Sequence, residues 1–232
     1  SDLENKVKLG IASDYFYPLA SVDDPLYTFT MPHEQIIYTS LDAFYHFIEA
    51  ATSRASSPMV ETLAEEGVSL IAKFLPKAVK EPNLLEARYW LMYSALLAGI
   101  AIDNARIHII HVLEHVLTGL NPNLAHGAGL GILGPTALKR VCSEVLDICT
   151  RILRPILNAE NGKPEEIARA VARFQESLGF REKLSDYGFS PDLADEVAER
   201  ALSLFPIQLE LAPISVSKEV LKEVYLEVVR NS

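Results

Sequence analysis

Four of the six histidines of the chain fall within residues 108–126. Three of them, His108, His111 and His115, follow one another at intervals of three and four. On a helix they therefore lie within about 60° of one another. The fourth, His126, comes after a Gly-Leu-Asn-Pro-Asn turn, which allows the chain to fold back toward the same face. Because neutral imidazole binds metals readily, this spacing predicts a metal site.

A second pair of candidate ligands, Asp42 and His46, lies upstream at a spacing of four, on one face of a predicted helix. Mixed oxygen and nitrogen donors suit Fe2+ or Zn2+, and the absence of thiolates is unlike a closed structural zinc site. A catalytic metal keeps one position open for substrate and can then polarise a carbonyl group or stabilise an alkoxide. The two segments together predict a catalytic metal centre.

Composition and charge exclude several classes of function. The chain has 232 residues, of which 49% are hydrophobic and 22% charged, and its net charge is −10. No basic stripe is present, so we expect neither nucleic acid nor an anionic membrane surface as a partner. The start of the chain does not resemble a signal peptide, and the most apolar run, 90–102, is too short to span a bilayer. We expect a cytoplasmic protein.

The two cysteines, Cys142 and Cys149, lie seven residues apart in a helical pattern. On a continuous helix they would be two turns apart, too far to form a disulfide without distortion. We expect them to be buried thiols in a reducing compartment.

Helical periodicity dominates the chain after Pro32. The predicted helices cover residues 34–53, 58–80, 84–103, 104–118, 136–157, 163–178, 190–204 and 217–230. The third is apolar on most faces and is expected in the middle of a bundle. Before them, residues 7–12 and 18–22 read as short strands, which cannot form a stable sheet alone. The glycines within 127–134 predict either close backbone packing or a tight turn. The fold is predicted to be all-α, a helical bundle with a short extended N-terminal segment.

Several segments of the chain resemble the iron-containing (group III) alcohol dehydrogenases. These segments are Ser40-Leu-Asp42-Ala43-Phe-Tyr-His46-Phe-Ile-Glu49-Ala50, Leu97-Ala98-Gly99 with Asp103-Asn104-Ala105, and His111-x-x-x-His115 followed by His126-Gly127. The resemblance runs almost from end to end. It implies the dehydroquinate synthase-like C-terminal domain of that family.

The resemblance also implies a site. Its four metal ligands would be Asp42, His46, His111 and His126, and the metal would be Fe2+ or Zn2+. His115 would lie in the active site without binding the metal, where it could help to relay the alcohol proton. The implied reaction is reversible hydride transfer between a small alcohol or aldehyde and NAD(P).

The family's nucleotide-binding domain, with its Gly-Gly-Gly-Ser loop, has no counterpart in this sequence. The resemblance therefore implies that residues 34–232 are the metal-binding catalytic domain. Residues 1–33 would be a remnant of the join to a missing domain that binds most of the NAD(P). On this interpretation the chain alone is inactive. We also expect a homo-oligomer, because unpaired strand edges favour association.

Three residues near the implied site depart from the family pattern. His108 and Glu114 stand where small residues are usual, and Leu130 stands where asparagine is usual. We expect His108 to be a partly exposed helix residue, with the alternative that it is an additional metal ligand or a proton carrier. Glu114 is expected to be solvated, with the alternative that it orients an imidazole.

Two other functions stay open. One is a glycerol dehydrogenase-like or maleylacetate reductase-like enzyme on the same scaffold; zinc in the protein would favour the first and a metal-free active protein the second. The other is a non-enzymatic helical assembly module.

Overall fold

A computed structural model describes residues 1–157 and 162–231 of the chain. The described part is helical and contains no strand. Its α-helices are α1 His33–Thr52, α2 Pro58–Lys80, α3 Leu85–Ala105, α4 Ile109–Leu120, α5 His126–Glu144, α6 Leu146–Leu153, α7 Pro164–Ser177, α8 Ala194–Leu204, α9 Pro206–Glu210 and α10 Lys218–Arg230. The predicted all-α fold is confirmed.

The N-terminal segment before α1 differs from its prediction. Instead of strands at 7–12 and 18–22 it contains two short 3-10 helices, Asp14–Phe16 and Pro25–Thr28, and one isolated bridge between Asp2 and Val7. The strand prediction was wrong because so short a segment finds no neighbouring strand to supply its backbone hydrogen bonds. The segment still contacts the bundle, since the Tyr17 hydroxyl donates to Asp103 at 2.5 Å.

Helix α1 lies at the centre of the bundle and packs against α2, α3 and α5. Its predicted apolar stripe is fully buried. The stripe consists of Ile37, Leu41, Phe44, Ile48 and Ala51. Because α1 is enclosed by three helices, the polar residues that it carries, Asp42 and His46, have a rigid support.

Helix α3 was predicted to lie in the middle of the bundle, and that prediction was wrong. The residues that it buries are mostly small, with Arg88 and Leu97 as the exceptions, while several large apolar side chains are exposed. The exposed residues are Leu85, Tyr89, Tyr93, Leu96 and Ile100. The apolar residues on all sides of α3 therefore form one buried face and one exposed face.

The chain bends sharply between α3 and α4. Arg106 adopts a positive φ of 68°, and the two helices meet at 103°. The predicted helix over 104–118 therefore begins later, at Ile109, and leaves His108 at its N-cap. Among the described residues no single helix is long and apolar enough to cross a membrane, and α3 with α4 pass that test by length and composition only as a bent pair.

Helix α5 begins at His126, ten residues before the helix start predicted at 136. The predicted glycine contacts are present: a Cβ on Gly127 would overlap the carbonyl group of Tyr38, and one on Gly134 would overlap the ring of Tyr45. These glycines let α5 approach α1 closely. The approach places the first residue of α5 beside the polar residues of α1.

The two cysteines form a disulfide, contrary to expectation. The helix assumed to be continuous breaks at Val145, whose φ of −133° and ψ of 48° lie outside the helical range. The break separates α5 from α6 and brings the Cα atoms of Cys142 and Cys149 to 5.8 Å, within the range of a disulfide.

Candidate metal centre

One carboxylate oxygen of α1 faces three imidazole rings. Oδ1 of Asp42 lies 3.2 Å from Nδ1 of His46, 3.4 Å from Nε2 of His111 and 3.4 Å from Nε2 of His126. The three rings come from α1, α4 and α5. The predicted fold-back after the turn at 121–125 therefore does bring His126 to the other histidines.

Three of these residues present donor atoms that lie within 4.8 Å of one another, namely Asp42, His111 and His126. Such a group can surround one divalent ion, and its oxygen and nitrogen donors fit Fe2+ or Zn2+. His46 lies beside this group: its ring stacks on that of His111, with centroids 4.3 Å apart. The four residues are thus brought together, and their assignment as ligands stays a prediction.

A buried glutamate of α1 holds His111 in place. Oε2 of Glu49 lies 2.5 Å from Nδ1 of His111, and the same carboxylate accepts the backbone N–H groups of Ile110 (2.6 Å) and His111 (3.2 Å). A carboxylate there satisfies otherwise unpaired donors of the first turn of α4 and interacts favourably with the helix dipole. With Nδ1 occupied, the His111 ring presents Nε2 to Asp42, as metal-binding histidines commonly do.

His108 is fully buried rather than partly exposed. Its Nε2 lies 3.0 Å from the Thr52 hydroxyl and its Nδ1 lies 3.0 Å from Oε1 of Glu49. The expectation of exposure was wrong because the bend after Arg106 removes His108 from the helix face that carries His111 and His115. His108 thus contacts Glu49 and is not part of the group of donors around Asp42.

Glu114 is also fully buried, and the expectation that it is solvated was wrong. Its Oε2 contacts Nδ1 of His126 and lies 3.0 Å from Nζ of Lys8, while the Thr118 hydroxyl donates to Oε1. The alternative interpretation, an orienting contact to an imidazole, is the one that the geometry supports.

Glu114, His115 and His126 form a second group with donor atoms within 4.8 Å of one another. Nζ of Lys8 lies 3.0 Å from Glu114 and 2.8 Å from Nδ1 of His126. The ammonium group thus takes the position of a cation in this second group. Of these two groups of described residues, the Asp42 group is the one without a lysine ammonium group at hydrogen-bond distance from the histidine nitrogens that face its carboxylate.

His115 lies one turn beyond His111, and its ring centroid is 5.5 Å from that of His126 and 5.6 Å from that of Phe205. Its Nδ1 is buried and has no hydrogen-bond partner among the described residues, and its Nε2 lies 4.0 Å from Glu114. Burial lowers the pKa of His115 to about 4, although the charge of Glu114 opposes this change. The ring is therefore neutral at pH 7.

The charges of the main group are strongly coupled. Burial alone would raise the pKa of Asp42, but hydrogen bonds from His111 and His126 hold it well below its usual range. Burial would lower the pKa of His111, but its bonds to Asp42 and Glu49 raise it to about 9. Burial and the charge of His111 lower the pKa of His46 to about 3. Burial would lower the pKa of His126, but its bonds to Asp42 and Glu114 raise it. The group thus combines an ionised Asp42, a cationic His111 ring and a neutral His46 ring at pH 7.

The described part of the chain is a helical domain in which a half-buried carboxylate faces three histidines, an arrangement whose donors can hold a divalent metal. The profile of the Fe-containing alcohol dehydrogenase family, C-terminal part, matches residues 36–229. The chain belongs to the iron-containing alcohol dehydrogenase family.

Individual relatives agree with this assignment. The long-chain primary alcohol dehydrogenase of Thermoanaerobacter ethanolicus is 35% identical over 229 residues, which cover 97% of this chain and 57% of the relative. The 1,3-propanediol dehydrogenase of Klebsiella pneumoniae is 30% identical over 207 residues, which cover 87% of this chain and 53% of the relative. The iron-containing alcohol dehydrogenase of Thermococcus thioreducens superposes with a TM-score of 0.83 at 25% identity, covering 96% of this chain and 57% of that one. The chain thus spans little more than half the length of these relatives.

Sequence reasoning gave no role to Glu49 or Lys8. For Glu49 a signal existed, because it follows Asp42 by seven residues and so shares its helix face in a largely apolar helix. For Lys8 no local signal existed, since its partner Glu114 lies 106 residues away.

Proposed function

We propose that this chain is the metal-binding helical half of an NAD(P)-dependent alcohol dehydrogenase. The observation that carries the proposal is the convergence of three imidazole rings on Oδ1 of Asp42, at 3.2 to 3.4 Å. Asp42, His46, His111 and His126 would hold one Fe2+ or Zn2+. When bound, that ion supplies a positive charge that stabilises the alkoxide form of a small alcohol during hydride transfer to the nicotinamide.

The chain's own residues would orient the substrate and receive its proton. In oxidation, the alcohol carbon gives a hydride to NAD(P)+ and the hydroxyl group loses a proton, which leaves an aldehyde or ketone. His115 is neutral at pH 7, and its Nδ1 has no hydrogen-bond partner in the described part of the chain, so its ring is available to accept that proton. Its neighbour Glu114, 4.0 Å from Nε2, favours the cationic form that results.

Metal content tests the proposal most directly. The protein would be purified without oxygen and its iron and zinc measured per chain. We expect close to one ion per chain, and strong loss in His111→Ala. His33→Ala is the matched control, because His33 is exposed at the start of α1, where its Nε2 lies 3.2 Å from the carbonyl oxygen of Val79. Equal metal content in all three proteins would refute the proposal.

NAD(P) would be bound mainly by a nucleotide-binding domain that is not part of this sequence. We therefore expect no steady oxidation of alcohols by the chain with added NAD(P), and turnover under these conditions would contradict the missing-domain interpretation. The cytoplasmic location stays a prediction, and the disulfide removes one argument for it, that of reduced cysteines.

A second candidate function, an assembly module, is favoured by one observation. The exposed apolar face of α3 has no covering element in the described part of the chain. Such a face is typical of contacts between proteins and fits the expected homo-oligomer. Light scattering tests this candidate: a monomer at all concentrations would count against it, and a metal-free oligomer would favour it over the enzyme.

A further inference from the structure

We propose that Glu114 is a positioning residue that holds His126 in the tautomer able to bind a metal. This inference rests on the proposed function of the Asp42 group. Nδ1 of His126 contacts Oε2 of Glu114, and Nε2 of the same ring points at Asp42, 3.4 Å away. One ring thus connects the fully buried Glu114 to the predicted metal position.

The chemistry of imidazole gives this contact a direction. Only one ring nitrogen of a neutral histidine carries a proton, and only the other has a lone pair for a metal. A carboxylate at Nδ1 can only accept, so it keeps the proton on Nδ1 and leaves the lone pair on Nε2, the nitrogen that faces Asp42.

Lys8 favours the opposite tautomer. Its Nζ lies 2.8 Å from the same Nδ1, and an ammonium group can only donate, which would require the lone pair on Nδ1 and the proton on Nε2. The two neighbours therefore compete for one nitrogen. Glu114 is the stronger neighbour of Nδ1, because Nζ of Lys8 is itself engaged by Oε2 of Glu114 at 3.0 Å.

The fold provides specific support for Glu114. The Thr118 hydroxyl donates to Oε1, and a Cβ on Gly129 would lie 2.8 Å from Cγ of Glu114. Gly129 thus leaves the space that this side chain fills. The carboxylate is fixed on three sides, by α4, by α5 and by the N-terminal segment, which is the arrangement expected of a group that orients a ligand.

The test measures the affinity of the purified chain for Zn2+ by competition with a chromogenic chelator. Loss of a partner that orients a metal-binding histidine typically weakens metal affinity about 10- to 100-fold. We expect this loss in Glu114→Ala, partial recovery in Glu114→Gln, whose amide oxygen can still accept from Nδ1, and a loss in Gly129→Ala, which displaces the carboxylate. Lys8→Met should stay within about threefold of the parent protein, since Glu114 remains.

A second readout does not depend on the metal. Nitrogen-15 NMR of histidine-labelled, metal-free protein reports which nitrogen of His126 is protonated. We expect the Nδ1–H form whenever the ring is neutral in the parent protein and in Lys8→Met, and a shift toward the Nε2–H form in Glu114→Ala. Glu182→Gln is the control, because Glu182 is a half-buried, hydrogen-bonded carboxylate away from this site.

The outcomes separate the two proposals. Absence of Zn2+ binding in the parent protein would overturn both the proposed function and this inference. Normal binding in the parent and unchanged affinity and tautomer in a folded Glu114→Ala protein would overturn the inference alone. A loss in Lys8→Met as large as that in Glu114→Ala would also overturn it, because the lysine would then hold the ring.

Discussion

Oε2 of Glu49 lies 2.5 Å from Nδ1 of His111, and the carboxylate that makes this contact also accepts the first backbone N–H groups of α4. One buried side chain of α1 thus orients a predicted metal ligand and begins the helix that carries it. Burial alone would raise the pKa of Glu49, but the charge of His108 and the hydrogen bond and charge of His111 hold it well below its usual value. Glu49 is therefore ionised and fully paired.

Removal of this carboxylate should destabilise the metal-free protein. Glu49→Ala leaves the first donors of α4 and the ring of His111 without a buried partner, and breaking such a buried pair lowers the free energy of unfolding by about 3 kcal/mol. Urea unfolding at pH 7 measures the change. Glu34→Gln, an exposed position in the first turn of the same helix, serves as control and should differ by less than about 0.5 kcal/mol. A Glu49→Ala protein as stable as this control would contradict the assigned role.

Metal binding should release protons below pH 9. The pKa of His111 in the metal-free protein is raised to about 9 by Asp42 and Glu49, whose bonds outweigh its burial, so the ring is protonated at neutral pH. A metal must displace that proton. Bonds to Asp42 and Glu114 outweigh burial and raise the pKa of His126 as well, so this ring can release a further proton. The apparent affinity should therefore rise by at least about tenfold per pH unit between pH 6.5 and 9 and then level off.

Calorimetric titration with Zn2+ in buffers of different ionisation enthalpy measures the number of protons released for each ion bound. His46 should contribute none in this range, because burial and the charge of His111 lower its pKa to about 3. An affinity that does not change between pH 6.5 and 8.5 would contradict the charge state assigned to His111.

Because α5 packs closely against α1, there is no room for a side chain at position 127. A methyl group there would overlap the backbone of Tyr38 and force α5, with His126 as its first residue, away from Asp42. We expect Gly127→Ala to lower the free energy of unfolding by about 1–3 kcal/mol, as overpacking commonly does. Zn2+ affinity should fall in parallel.

Gly99→Ala is the matched control, because Gly99 lies within α3 with no atom near the position of its Cβ. Alanine there should raise the free energy of unfolding by about 0.5–1 kcal/mol, because alanine has a higher helix propensity than glycine. Urea unfolding measures both changes. Equal changes in the free energy of unfolding would show that helix propensity, and not the contact with Tyr38, determines the effect of Gly127→Ala.

The disulfide should be detectable by thiol titration. In denaturant, the protein as purified should show no free thiol, and two after reduction, because Cys142 and Cys149 are the only cysteines. Closing so short a loop stabilises a protein by about 2 kcal/mol on the chain-entropy estimate, so reduction should lower the midpoint of urea unfolding. Two reactive thiols before reduction would show that the bond does not form.

The sequence predicts the parts of the molecule that depend on local pattern. The apolar stripe of α1 and the convergence of His111 and His126 follow from spacings of three and four and from the turn at 121–125. Predictions were wrong where an unforeseen break interrupts a predicted helix. The backbone of Arg106 moved His108 off the helix, and the break at Val145 joined two cysteines that a straight helix would have kept apart.

Other features depend on distant contacts and leave no trace in any short window. Glu114 looked like a solvated residue because its partners Lys8 and His126 are separated from it by 106 and 12 residues. The exposed face of α3 was predicted to be buried because hydrophobicity alone does not distinguish a buried apolar face from an exposed one.

Under the proposed function, a metal held by His111, the ring that Glu49 fixes at the start of α4, would bind the folded chain and not the unfolded one, so metal binding and the stability of the fold would be thermodynamically linked. Each tenfold excess of free metal over the dissociation constant adds about 1.4 kcal/mol to the stability of the folded chain. Metal starvation would then shorten the lifetime of the protein as well as remove its chemistry, and a chelator added during storage would act as a mild denaturant.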